Sequence, residues 1–266
     1  MTDDDEIEDT GAAEAGETGT GEAGSGERGE RIAKFLSRAG ISSRRDAEAM
    51  IEAGRVRKNN EAVTHPAVFV KPGDMVLVDG KLVSEPDRTR LWRYHKPEGL
   101  VTTHKDPEGR PTVFDKLPPG LPRVISIGRL DLTSEGLLLL TNDGTLARKL
   151  ELPATGWLRR YRVRVHGGVA PDKIKRLAEG LAVDGIKYGP IEAAIDSVQR
   201  SNTWMSMSLR EGKNREIRRV MEALALPVTR LIRVAYGPFQ LGTLPRSCAE
   251  EVNGKILREQ VPGLGK

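Results

Sequence analysis

The chain has a single cysteine, Cys248, so it can form no internal disulfide and assemble no thiolate zinc site. Histidine is almost as scarce: only His65, His95, His104 and His166 occur, and no two have the spacing of a helical zinc-binding pair. No apolar run approaches the roughly 18 residues of a membrane span. The longest candidate, Leu137 to Leu140, is the size of a strand. No Gly-rich dinucleotide fingerprint or phosphate loop follows a strand-like segment. The first ten residues, MTDDDEIEDT, are acidic from the third onward and do not resemble a secretory or mitochondrial leader. These absences lead us to expect a cytoplasmic protein with no metal site and no membrane attachment.

Charge is plentiful and unevenly placed. The net charge of +4 conceals 11 acidic residues and one basic residue in positions 1–30, which leaves a body of net +14. Such a body attracts a polyanion, and nucleic acid is the obvious one. Residues 1–29 are rich in Gly, Ala, Glu, Ser and Thr with almost nothing to bury, and read as a disordered acidic tail. With 266 residues, 38% of them hydrophobic, the remainder can form one large or two modest domains.

The pattern changes at Glu30. Ile32, Phe35, Leu36 and Ala39 have helical spacing, with Gly40 placed to end the helix. Ser43 and Asp46 form a capping box for a second helix lined by Ala47, Met50 and Ile51. Short strands follow, through Val68-Phe69-Val70 and Met75 to Val78. The stretch FLSRAGISSRRDAEAMIEAGRVRKNNEAV resembles the S4 RNA-binding domain, placed here at residues 30–78. The resemblance implies RNA contacts at Arg38, Arg44, Arg45 and Arg55. Residues 79–90 read as a linker, residues 91–248 as a second and larger unit, and residues 249–266 as a C-terminal tail.

The larger unit mixes alternating strands (Tyr161 to Val165, Leu231 to Val234) with helices after Pro171 and after Asn214. Its irregular order predicts an α+β domain on a mixed, mainly antiparallel sheet rather than a doubly wound fold. The most informative segment is VISIGRLDLTSEGLLLLTNDG, residues 124–144. Two apolar strands flank Gly128-Arg129-Leu130-Asp131, and Asn142-Asp143-Gly144 signals a turn. Asp131 thus lies in a short connection where a carboxylate needs a partner, and Arg129 is the nearest in sequence. From spacing alone, a surface aspartate or a purely structural Arg–Asp pair remains open.

GRLDLTSEGLLLLTNDG resembles the central motif of the RsuA/RluB/RluE/RluF-type ribosomal RNA pseudouridine synthases. So do Arg160-Tyr161-Arg162-Val163, the segment from Leu209 to Arg219, and HKPEGLVTTHKD at residues 95–106. The resemblance implies an isomerase that needs no cofactor. It implies Asp131 as the reacting carboxylate, Arg129 as its pairing cation, Tyr161 stacked on the base and Arg218 as a cation near the site. Lys213, Arg215 and Arg219 would contact phosphates. The implied partner of this monomer is ribosomal RNA, free or within a pre-ribosomal particle, with large-subunit (23S) rRNA favoured over small-subunit rRNA. Two departures stand out: Arg160 where relatives commonly have Lys, and Glu216 where they commonly have Gln, whose amide donors a carboxylate lacks. A non-catalytic RNA-binding or ribosome-assembly protein would explain the charge and the first module equally well. It would not explain the aspartate motif.

Overall fold

The computed structural model describes residues 29–152 and 155–263. The expected disordered tail, residues 1–29, lies outside the described residues except for Gly29. In the N-terminal module, β1 (Glu30–Arg31) leads into α1 (Ile32–Arg38), followed by α2 (Arg44–Glu52). Ser43 caps α2 as the sequence predicts: its Oγ accepts from Asp46 N at 3.1 Å and donates to the Asp46 carboxylate at 2.8 Å. Gly40 takes the left-handed φ of 79° that lets the chain leave α1 for the next turn. Four short strands, β2 (Val56–Lys58), β3 (Glu61–Ala62), β5 (Val76–Val78) and β6 (Lys81–Leu82), pair in the order β3-β2-β5-β6. β4 (Phe69–Val70) pairs instead with β1. Ile32, Leu36, Ala47, Ile51, Val56, Val76 and Val83 share one core. The module therefore runs to Val83, and the linker begins later than residue 79.

The larger unit is built on one nine-stranded sheet. Its strands are β7 (Leu91–Lys96), β8 (Ile125–Ile127), β9 (Glu135–Thr141), β10 (Arg159–His166), β13 (Glu192–Gln199), β14 (Asn202–Leu209), β15 (Val228–Tyr236), β16 (Phe239–Gln240) and β17 (Ala249–Glu251). The path β13-β14-β10-β15-β9-β7-β17 crosses the sheet, with β16 on β15 and β8 on β9. Among the described strands every pairing is antiparallel except β9 with β15, which is held by two residue pairs, Glu135–Ile232 and Gly136–Arg233. A small hairpin, β11 (Leu181–Val183) and β12 (Ile186–Tyr188), stands apart. The helices are α3 (Gly144–Glu151), α4 (Pro171–Glu179), α5 (Glu216–Ala223) and α6 (Gly254–Gln260). This is the α+β architecture with a mainly antiparallel sheet that the sequence predicts.

Two differences have clear causes. Asn142-Asp143-Gly144 is a helix start rather than a free turn: Asp143 accepts from Thr145 N at 2.7 Å and caps α3. Residues 249–266 were expected to be a tail, yet β17 pairs with β7, and Val252, Leu257 and Val261 are buried. Their apolar residues are few and fall within a segment too short to show a period.

The buried side chains of the sheet form separate clusters, and the gap between two of them matters for function. Val163, Val165, Met205, Met207 and Leu231 pack with Leu177 of α4 and with Ile217, Val220 and Met221 of α5. Leu137, Leu139, Tyr236 and Phe239 pack with Leu146 and Leu150 of α3 and Leu257 of α6. Between these clusters along β10 and β15 a cleft opens, lined by Arg159, Arg233 and Tyr161, the last packed against the edge of the first cluster.

Candidate active site

The cleft has a volume of about 820 Å³, within the range of small-molecule sites. Asp131 and Tyr161 both line it, as do Leu130 and Leu132. Asp131 occupies the connection between β8 and β9, and this connection is unusually well held. Thr102 Oγ1 donates to Leu130 O at 2.8 Å, and Gly99 N donates to Leu132 O at 2.8 Å. Lys96 Nζ donates to the carbonyls of Asp131 at 3.1 Å and Ser134 at 2.8 Å, and Arg218 Nη2 to Thr133 O at 2.9 Å. Every carbonyl from Leu130 to Ser134 thus has a donor. That fixes the backbone from which the carboxylate projects.

Lys96 was missed by the sequence reading. It is fully buried at the end of β7, and burial lowers its pKa to about 8 against the pull of Asp131, Glu98 and Glu135. A signal existed: Lys96 continues the alternation Trp92, Tyr94, whose side chains point inward, so a lysine was already in a core position.

The expected ion pair between Arg129 and Asp131 is not formed. Arg129 lines the cleft, but the Asp131 carboxylate faces Arg215, whose Nη1 lies 3.6 Å from Oδ2. The partner comes from the loop before α5, across the cleft, which nearness in sequence could not reveal. Arg215 holds a left-handed backbone (φ 49°), an uncommon conformation for a residue with a side chain. Arg218 does not line the cleft. Its Nη1 bonds Val228 O at 3.1 Å and its Nη2 holds the Asp131 loop, so it braces the site from behind. Burial and the neighbouring Arg215 push its pKa down while Asp131 and Glu98 pull it up.

Lys213 lines the cleft with its ammonium 2.7 Å from the Glu211 carboxylate, whereas Arg219 is half-buried on α5 outside the lining. Glu216 is buried; it accepts from Lys213 N at 2.9 Å and lies beside Glu211. Burial raises its pKa to about 7, so near neutrality it carries a proton part of the time and regains the donor that a carboxylate lacks. In the N-terminal module Arg38 pairs with Glu30 at 2.9 Å and Arg55 with Asp79 at 2.6 Å. Arg44 and Arg45 are exposed on the first turn of α2 with no ion pair among the described residues.

A pre-set carboxylate facing a guanidinium, in a cleft that also holds a tyrosine and a basic rim, suits nucleophilic or proton-transfer chemistry on a polyanion. The family model described as RNA pseudouridylate synthase matches residues 90–223, and that of the S4 domain matches residues 30–76. An RNA pseudouridine synthase of Rickettsia felis is 48% identical over 230 residues, spanning 86% of this chain and all of the relative. The chain belongs to the RNA pseudouridine synthases. The synthase is also similar to ribosomal large subunit pseudouridine synthase B of Yersinia pestis, 42% identical over 88% of this chain and 76% of that protein. The corresponding synthase B of Salmonella typhimurium is 44% identical over 82% of this chain and 77% of its own length. A crystal structure of a pseudouridylate synthase shares the fold, with a TM-score of 0.62 at 23% identity, across 87% of this chain and the whole of that one.

Proposed function

We propose that this synthase is of the RsuA/RluB/RluE/RluF type and isomerises one uridine of large-subunit ribosomal RNA in the cytoplasm, free or within a pre-ribosomal particle. The observation that carries the reading is the Asp131 carboxylate, fixed on its loop, facing Arg215 in the cleft shared with Tyr161. Likeness to two large-subunit synthases supports the choice of rRNA. The target nucleotide leaves its helix or loop to reach the cleft. Tyr161 stacks on the base. Asp131 either attacks C1′ to give a glycosyl ester or removes the C2′ proton to give a glycal, and the N1–C1′ bond breaks. The base turns, C5 bonds to C1′, and the C5 proton leaves. Arg129, Lys213 and Arg215 at the rim, with Lys105 and Arg110 from the loop before β8, face the flanking phosphates.

Mapping pseudouridines in total rRNA from cells with and without the gene, together with tritium release by the purified protein from C5-labelled 23S fragments, tests this. Loss of one 23S pseudouridine and turnover on the matching fragment are expected. A change confined to 16S rRNA or tRNA would overturn the substrate assignment.

A further inference from the structure

The floor of the cleft holds a cation that the scheme above does not use. Arg233 lies on β15 directly opposite Tyr161 on β10. Side chains so paired stand about 5 Å apart at Cβ. Arg233 lines the cleft yet is only 3% exposed. Its Nε donates to Leu137 O at 2.8 Å, and its Nη2 has no acceptor. Among the described residues no carboxylate pairs with it.

Arg129 is exposed at the rim without a partner among the described residues, and the other arginines nearby are engaged. Arg230, three residues earlier, grips Glu135 at 2.5 Å, and Arg246 holds the same carboxylate at 2.7 Å. Arg159 bonds Arg210 O, Trp157 O and Tyr236 Oη. Arg215 faces Asp131, and Arg110 pairs with Asp106. A buried cation without a counter-ion destabilises a fold, and such strain is characteristic of ligand sites. Nor can Arg233 move away easily: its backbone abuts Gly136, and its guanidinium lies 5.2 Å from the Tyr236 ring centre.

We propose that Arg233 is a catalytic residue that stabilises the uracil anion formed when the N1–C1′ bond breaks. The proposal rests on the reading of the cleft as a uridine isomerase. On either route the electron pair of the broken bond stays with the base, and its charge spreads over N1, O2 and O4. Asp131 meanwhile forms the ester bond to C1′ or carries away the C2′ proton. When C5 bonds to C1′ the pair is shared with carbon, the ester breaks or the C2′ proton returns, the C5 proton leaves and N1 gains one. The charge therefore exists only between the two bond changes. A guanidinium of fixed position, almost wholly buried, stabilises that state more than the neutral substrate. Its flat fork can meet O2 before the base turns and O4 afterwards. Flanking phosphates have other partners at the rim, whereas Arg233 lies on the sheet beside the tyrosine.

The Arg233→Met variant keeps the stem and removes the charge. Its melting temperature should equal or exceed that of the wild type, because an uncompensated buried cation is gone. RNA affinity and its salt dependence should stay within about twofold, while single-turnover isomerisation falls by about 100-fold or more. In Arg233→Ala, millimolar guanidinium should restore at least a tenfold increment, and Asp131→Asn should show no such rescue. A folded Arg233→Met variant within about fivefold of the wild-type rate, with Asp131→Asn inactive, overturns the role of Arg233 and leaves the isomerase reading intact. Weakened RNA binding with a shallower salt slope would make Arg233 a phosphate contact and also overturn it. So would a lowered melting temperature that Arg233→Lys restores together with activity. If the wild type turns over no rRNA fragment or particle, the isomerase reading fails and this proposal with it.

Discussion

Asp131→Asn preserves shape but removes the proposed nucleophile or base, so isomerisation should fall by orders of magnitude, beyond the 10²–10⁴-fold typical of general acid–base help. RNA affinity should barely change, because it comes from distributed phosphate contacts. Tritium release and a filter-binding assay on one preparation separate the two effects. Glu216 gives a second prediction, on stability. Its folded pKa of about 7 lies above its ordinary value of 4.5, so the native state holds the proton more tightly. That contribution is fully present below about pH 4.5 and is lost as pH rises through about 7. Glu216→Gln removes the titration and should raise the melting temperature relative to the wild type at pH 8, by an upper limit of about 3 kcal/mol in stability. The difference should vanish near pH 5, and thermal melts across that range measure it. Asp131 and Tyr161 were legible in the sequence because each belongs to a contiguous motif. The Arg215 partner was not, because the pair joins loops 84 positions apart. Lys96 and Arg233 are charges on inward-facing strand positions, a conflict that alternation alone could have flagged.

At the scale of elements, the C-terminal strand and helix carry a prediction opposite to the one a tail would make. Removing residues 252–266 uncovers the pocket filled by Val252, Leu257 and Val261, which pack against Leu91, Leu146 and Leu150 in one cluster. Loss of three buried side chains costs on the order of 5 kcal/mol, so the truncated protein should melt at least ten degrees lower or aggregate. A melting temperature within two degrees of the full chain would show that the segment contributes nothing. The helices that were legible are those with an apolar stripe and marked ends: Pro171 begins α4 and Gly180 follows it, and Ile217, Val220 and Met221 line α5. α3 was hidden because Asn-Asp-Gly is equally a turn and a helix cap, and only tertiary context decides between them.

At the scale of the whole molecule, positive charge is divided between the cleft and the small S4 module, to which we assign the chemistry and RNA binding respectively. The core of the module is self-contained, so deleting residues 30–83 should leave the synthase unit folded. Affinity for structured rRNA should fall. The slope of log affinity against log salt should become shallower by about two, one for each of Arg44 and Arg45. Titrations at several salt concentrations check this, and an unchanged slope would place RNA binding elsewhere. The two-part organisation was legible from the charge break at Glu30 and from the α1–α2 pattern. The cleft was not, because it arises where two core clusters fail to meet. The parallel seam between β9 and β15 has a further consequence. Gly136, at φ 104°, leaves no room for a side chain: a Cβ there would lie 2.3 Å from Arg233 O. Lys96 and the Asp131 loop belong to one side of that seam, and Tyr161, Arg215 and Arg233 to the other. A single methyl group, as in Gly136→Ala, would act as a wedge between halves that each hold an incomplete set of reacting groups. It should silence the enzyme without replacing any residue that touches RNA. A position that contributes no chemistry at all is therefore as vulnerable to substitution as one that does.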